Sequence, residues 1–192
     1  KVDKDARAVT VAAAEKAAAT RIATQKAQKA QKPPKDGKKP AMSGMFVNLN
    51  RGKRSIVLDL KSPDGREVLA RLMRQSNVFV HSMRFEAIKR LGFAYEDVKE
   101  ARPDVVYANL YGYGRQGPYA HWPAYDDTIQ GISGLAMLQA EVMGEPRYVP
   151  TVVADKVAGL TAAYAIAMAL FHHARTGEGQ EIEIGMFETM VS

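Results

Sequence analysis

From Ser55 onward the spacing of apolar residues changes period in a regular way. Ser55-Ile-Val-Leu-Asp-Leu60 is a short run of strand formers. Ser62-Pro63-Asp64 follows as an N-cap, a proline at the first helical position and an acid in the first turn. Val68, Leu69, Leu72 and Met73 then fall on one face of a helix ending near Gln75. Asn77-Val-Phe-Val-His81 reads as the next strand, so residues 55–81 predict a βαβ unit with a right-handed crossover. Short helices are expected over Glu86 to Leu91, stopped by Gly92, and over Tyr95 to Ala101, closed by Pro103. Asp104 to Leu110 is a third strand, and Asp126 to Leu138 a helix weakened by Gly131 and Gly134. The strongest helix runs from about Asp155 to Arg175, closed by Thr176-Gly177. Its stretch from Val157 to Phe171 carries no charge, which predicts a helix buried on most sides. That stretch is shorter than the roughly 18–20 apolar residues of a bilayer span, so a core helix is preferred to a membrane one. Gln180 to Phe187 alternates as a half-buried strand does. Alternating strands and helices imply an α/β, Rossmann-like layered fold with a mainly parallel sheet.

Charge separates the chain into two parts. The formal net charge is +6. Residues 1–40 contain nine Lys and two Arg against Asp3, Asp5, Glu15 and Asp36, a net +7, which leaves −1 for the rest. This segment has no aromatic residue and no Ser. Ala8 to Lys32 is rich in helix formers but nearly without an apolar face, and Pro33-Pro34 ends any helix there. Residues 1–40 are therefore read as a basic Ala/Lys-rich extension or linker and 41–192 as the globular part. The extension lacks the aromatics that stack on single-stranded bases, and the globular part is near neutral, so nucleic acid is not the expected partner. No apolar signal region stands in it, and the absence of cysteine fits a reducing, cytoplasmic setting. A start at Lys1 and an end just after an apolar run read as a fragment or a processed chain.

Candidate chemistry is sparse. Asp155 stands where the long helix begins, where N–H groups and the helix dipole favour a carboxylate in its ionised form. Such a group can attack an activated acyl carbon, and it can equally do no more than cap its helix, the commoner role. Lys61 lies between a strand and a helix start that can hold a phosphate, or is a solvent-facing lysine. Arg90 suits the last turn of its helix on dipole grounds alone. His172 and His173 point to different faces, and no metal site is expected.

Six runs in order resemble the family III CoA-transferases of the formyl-CoA and carnitine CoA-transferase type. They are Asn50 to Lys61 (NRGKRSIVLDLK), Arg90-Leu-Gly-Phe93, Tyr111 to Tyr119 (YGYGRQGPY), Tyr125-Asp-Asp, Ala154-Asp-Lys-Val-Ala-Gly159 and Arg175 to Gln180 (RTGEGQ). The resemblance implies that the chain is the central part of an incomplete large domain from a longer, homodimeric enzyme. It implies CoA transfer between an acyl-CoA thioester and a small carboxylic acid, with CoA as co-substrate and no tightly bound cofactor. Asp155 matches the nucleophile; Leu58 to Lys61, Arg90 and the stretch around Tyr125 match the CoA site, with Lys61 and Arg90 meeting phosphates. Where the family reads Glu-Asn-Phe-Arg-Pro-Gly, this chain has His81-Ser-Met-Arg-Phe-Glu86. Ser82 and Met83 thus replace an Asn and an aromatic that contact CoA. The family's glycine-rich loop over the active Asp is expected beyond Ser192. An α-methylacyl-CoA racemase of the same superfamily is the alternative, but its His is matched here by Tyr125, beside Asp126. A non-catalytic protein with a basic binding tail is the third reading, and no membrane association is expected.

Overall fold

The computed structural model describes residues 44–192. The expected helix over Ala8 to Lys32 and the boundary at residue 40 lie outside the described residues. The chain divides into two compact units, one ending at Arg71 and one running from Leu72 to Ser192.

The described part of the first unit holds helix α1 (Gly44–Leu49), an irregular stretch, and most of helix α2 (Pro63–Arg74). The cap of α2 is the one its sequence predicts. Ser62 Oγ accepts the Gly65 N–H at 3.0 Å and donates to the Asp59 carbonyl at 2.8 Å. Asp59 Oδ1 accepts the Lys61 N–H at 2.9 Å, which tightens the entry turn. The strand expected over Ser55 to Leu60 is absent, and with it the βαβ unit. Ile56 and Val57 are exposed, and the stretch pairs with no strand among the described residues. A β-forming sequence becomes a strand only when a neighbour takes up its N–H and C=O groups.

The second unit is built on a three-stranded sheet of β1 (Val78–His81), β2 (Val106–Tyr111) and β3 (Gln180–Gly185), in the order β1-β2-β3 and parallel throughout. Between β1 and β2 lie α3 (Phe85–Arg90) and α4 (Tyr95–Ala101). Between β2 and β3 come a loop, α5 (Asp126–Ile132), α6 (Leu135–Leu138), α7 (Ala140–Met143) and the long α8 (Val153–Thr176). A last helix, α9 (Met186–Val191), follows β3. The helix expected over Asp126 to Leu138 is therefore two, split at Ser133 and Gly134, where φ is +85°. The end of the chain turns into a helix after Gly185 instead of remaining strand.

The central strand is buried almost throughout, and its register gives the sheet two unlike faces. Val106, Ala108 and Leu110 share one side with Ile182 and Ile184, and α8 packs against β2 and β3. Its buried positions are all alanine (Ala154, Ala158, Ala162 and Ala169), small enough to let the helix axis lie close to the strands. On the other side Phe79 pairs with Tyr107 and Glu181, and His81 with Asn109 and Glu183, an aromatic and polar layer. The expectation that α8 is buried on most sides fails. Leu160, Tyr164, Met168 and Phe171 are 59–71% exposed on its outer face. By length and composition alone α8 is apolar enough to cross a membrane, yet its alanine face is a sheet-packing one.

At the amino ends of the strands Arg102 ties the unit together. It donates to the Arg74 carbonyl at 2.8 Å, to Asn77 Oδ1 at 3.0 Å and to Asp104 Oδ1 at 2.8 Å. The other Asp104 oxygen lies 3.1 Å from His173 Nε2, near the end of α8. Gly177 then closes that helix with φ +76°, a conformation only glycine adopts without cost.

Candidate active site

Strand direction sets where a site can form, because in open parallel sheets the carboxyl ends of the strands leave a crevice. At the carboxyl ends of β1 and β2 a cavity of about 690 Å³ opens, within the size range of small-molecule sites. One wall is the turn after β1, with Ser82, Arg84 and Phe85; the other is the chain after β2, from Tyr111 through Arg115 to Trp122 and Tyr125.

Four long-range contacts hold the second wall. Arg115 forms ion pairs with Glu181, at 2.9 Å, and with Glu183. Its backbone N–H donates to Glu183 Oε1 at 2.6 Å, and the Gly114 N–H donates to Glu188 Oε1 at 2.9 Å. The guanidinium also lies 5.2 Å from the Phe85 ring and 5.9 Å from that of Tyr111, so it bridges both walls. Burial works against its charge, but the Glu183 hydrogen bond and the nearby Glu181 carboxylate outweigh it and raise its pKa. Glu181 also accepts from Asn109 at 2.8 Å, and Tyr111 donates to Asn109 at 2.9 Å. Burial pushes the Tyr111 hydroxyl up to about 12.

Asp155 lies in the first turn of α8, at its third residue. Its own carboxylate does not cap the helix. Asp126 does so from α5, accepting the Asp155 N–H on Oδ1 at 3.0 Å. The other oxygen of Asp126 accepts from Gln130 Nε2 at 2.6 Å. Gln130 is only 2% exposed; its Oε1 accepts the Val149 N–H at 2.8 Å, and its amide also faces the carbonyls of Thr151 and Val149. This one side chain thus fixes the segment that leads into α8. The expectation that the helix start favours ionised Asp155 is corrected. Asp155 is an exposed residue, but the partial desolvation of its carboxylate, and then the charge of Asp126, raise its pKa.

The expected site residues are not all brought together. Ser82 and Tyr125 line the cavity, Tyr125 with 70% of its surface exposed. Met83 is exposed beside that wall, and Arg90 is exposed in the last turn of α3; neither lines the cavity. Asp155 is not among its lining residues either. Leu58 and Lys61 belong to the first unit. The sequence does not single out Phe85 or Gln130, and it reaches Arg115 and Asp126 only inside the runs Tyr111 to Tyr119 and Tyr125-Asp-Asp; the contacts that give these two their roles span 66 and 29 residues. Among the described residues no group of three His, Cys, Asp or Glu could hold a metal ion.

Residues 8–192 match CoA-transferase family III, so the match begins inside the basic segment. The chain is 37% identical over 139 residues to a succinate–glutarate CoA-transferase of Agrobacterium fabrum, covering 72% of this chain and 35% of that protein. It is 38% identical over 144 residues to an acetyl-CoA:oxalate CoA-transferase of Acetobacter aceti, covering 74% and 37%. Among solved structures, a CAIB/BAIF family protein from Brucella suis superposes with a TM-score of 0.70 at 36% identity, over 73% of this chain and 37% of that one. The chain thus spans little more than a third of the length of these relatives. With this match over most of its length and the parallel sheet in place, the chain belongs to CoA-transferase family III.

Proposed function

We propose that this chain forms part of an enzyme that moves coenzyme A between an acyl-CoA thioester and a small carboxylic acid, with Asp155 as the nucleophile. The observation that carries the reading is the placement of that aspartate. Asp155 is an exposed carboxylate in the first turn of α8; its backbone N–H is held by Asp126 at 3.0 Å, and its own side chain does not cap the helix. A carboxylate presented in this way can attack an activated acyl carbon. The Asp155 carboxylate would attack the thioester carbonyl, the C–S bond would break, and CoA would leave as thiolate from a mixed anhydride. The thiolate would return to the aspartyl carbonyl, releasing the donor acid and leaving an aspartyl-CoA thioester. The acceptor carboxylate would repeat both steps in reverse, regenerating Asp155. CoA is taken here as co-substrate, with no tightly bound cofactor.

The cavity after β1 and β2, with Ser82 and Tyr125, supports the same reading as part of a CoA site; the proposed roles of Leu58, Lys61, Met83 and Arg90 toward CoA rest on the family resemblance. A homodimer at family length and a cytoplasmic location belong to the proposal. The names of the relatives, which act on succinate and glutarate or on acetyl-CoA and oxalate, suggest the acids to test. The protein is incubated with succinyl-CoA or acetyl-CoA and trapped with hydroxylamine. Mass spectrometry is expected to find a hydroxamate on Asp155, and Asp155→Asn to lose both the adduct and the exchange. Turnover that survives in Asp155→Asn would reject the assignment.

A further inference from the structure

His81 is the last residue of β1, and the reaction above assigns it no task. Both of its ring nitrogens are engaged. Nδ1 accepts the Met83 N–H at 3.1 Å, and Nε2 lies 2.9 Å from the Tyr107 hydroxyl. That hydroxyl spends its own proton on the Phe93 carbonyl at 2.6 Å. It must therefore accept from Nε2, which makes the imidazole neutral with its proton on Nε2. The bond to Met83 closes the turn that carries Ser82, Arg84 and Phe85 into the cavity. A doubly protonated ring has no lone pair left for the Met83 N–H and would set two N–H groups against each other.

We propose that His81 is a positioning residue for this wall of the cavity, holding the turn in its binding shape only while neutral, so that ligand binding there weakens as the pH falls. The identity of the ligand rests on the CoA reading; the turn does not.

The surroundings of the ring agree. From β2 it faces Tyr107, Asn109 and Tyr111, and from β1 Phe79, with ring centroids 5.4–6.3 Å away for the three aromatics. Burial raises both tyrosines, so neither titrates in the working range. The charged groups beyond them are already engaged: Glu181 and Glu183 with Arg115, and Asp97 of α4 with the Ala94 N–H at 2.9 Å. Burial lowers the His81 pKa below its ordinary 6.5. The neutral form therefore prevails at neutral pH, and the change falls on the acid side.

The test pairs wild type with His81→Asn, whose Oδ1 can keep accepting the Met83 N–H but does not titrate. In the ligand-free protein, ¹⁵N imidazole NMR is expected to show the Nε2–H tautomer at pH 8, a midpoint below 6.5, and a Met83 amide that moves with it. In calorimetry with free CoA, the wild-type Kd relative to that of His81→Asn is expected to rise about tenfold per pH unit below that midpoint. The ratio also cancels the titration of CoA itself. An Nδ1–H tautomer, an unmoved Met83 amide, or a ratio independent of pH would each overturn the proposal. If CoA binds neither protein at any pH, the CoA reading falls, and the NMR titration alone decides the role of His81.

Discussion

Gln130→Ala is the sharpest test of how the segment before α8 is held. The wild-type amide has two hydrogens and one carbonyl oxygen. One hydrogen goes to Asp126 at 2.6 Å; the other is shared between the Thr151 and Val149 carbonyls at 3.3 and 3.4 Å. The oxygen takes the Val149 N–H at 2.8 Å. Losing the charge-assisted bond to Asp126 costs about 1.5 kcal/mol, leaving the Val149 N–H without its partner about 1 kcal/mol, and the weak shared bond roughly 0.5 kcal/mol. The sum, about 3 kcal/mol, corresponds to a fall of roughly 6–12 °C in Tm for a chain of this size. Trp122, the single tryptophan, reports the transition of the second unit by fluorescence in urea. Gln130→Glu is the matched control, with the same size and an acceptor for Val149. Its second oxygen, however, would sit against the Asp126 carboxylate, which raises its pKa above the unfolded value. Its stability is then fully present below about pH 4.3 and is lost as pH rises through the elevated folded pKa. A loss under roughly 0.5 kcal/mol in Gln130→Ala, together with a Gln130→Glu stability that is flat between pH 5 and 8, would refute the account.

Two further outcomes follow from close contacts elsewhere. A Cβ built on Gly112 would stand 2.0 Å from that of Ala124, so Gly112→Ala should displace the cavity wall and lower the urea midpoint, and adding Ala124→Gly should restore most of the loss. Asp104, held at about 2 by the Arg102 and then the His173 hydrogen bonds, contributes stability that is full above the ordinary carboxylate pKa of 3.8 and disappears as pH falls through about 2. Asp104→Asn should flatten that acid limb in a Tm-against-pH series.

What could be read from the sequence was what depends on neighbours along the chain. The Ser62-Pro63 start of α2, the Thr176-Gly177 end of α8 and the apolar runs of β2 and β3 are local signals, and each element stands within a few residues of where its pattern puts it. Ser55 to Leu60 failed because being a strand requires a partner, and the run carries no information about one. The exposed face of α8 failed for a related reason. A charge-free helix tells that it is apolar, but only packing tells which side is covered, and here the alanines are buried while Leu160 and Met168 are not. At the site, the Asp126 bond reaches across 29 residues and the Arg115 bonds across 66 and 68, distances at which no spacing rule operates. The His81 turn shows the opposite limit: its contact is local, but the tautomer follows from Tyr107 and Phe93 on other elements.

The same distinction explains why Asp155 departs from its expected electrostatics. A surface helix dipole favours a first-turn carboxylate by about 0.3–1 kcal/mol. That gain depends on free N–H groups, and the N–H of Asp155 is already given to Asp126. Asp126 thus takes up a backbone donor of this helix start and brings a second carboxylate to the same place. The partial desolvation of the Asp155 carboxylate, and then that neighbouring charge, raise its pKa. Asp126 therefore plays two parts through one contact, fixing the backbone of Asp155 while making its carboxylate less content to remain ionised. A lone helix cap would need no such neighbour. The nucleophile proposed for Asp155 is consistent with it, since the backbone that carries the side chain is held by Asp126, itself anchored through Gln130.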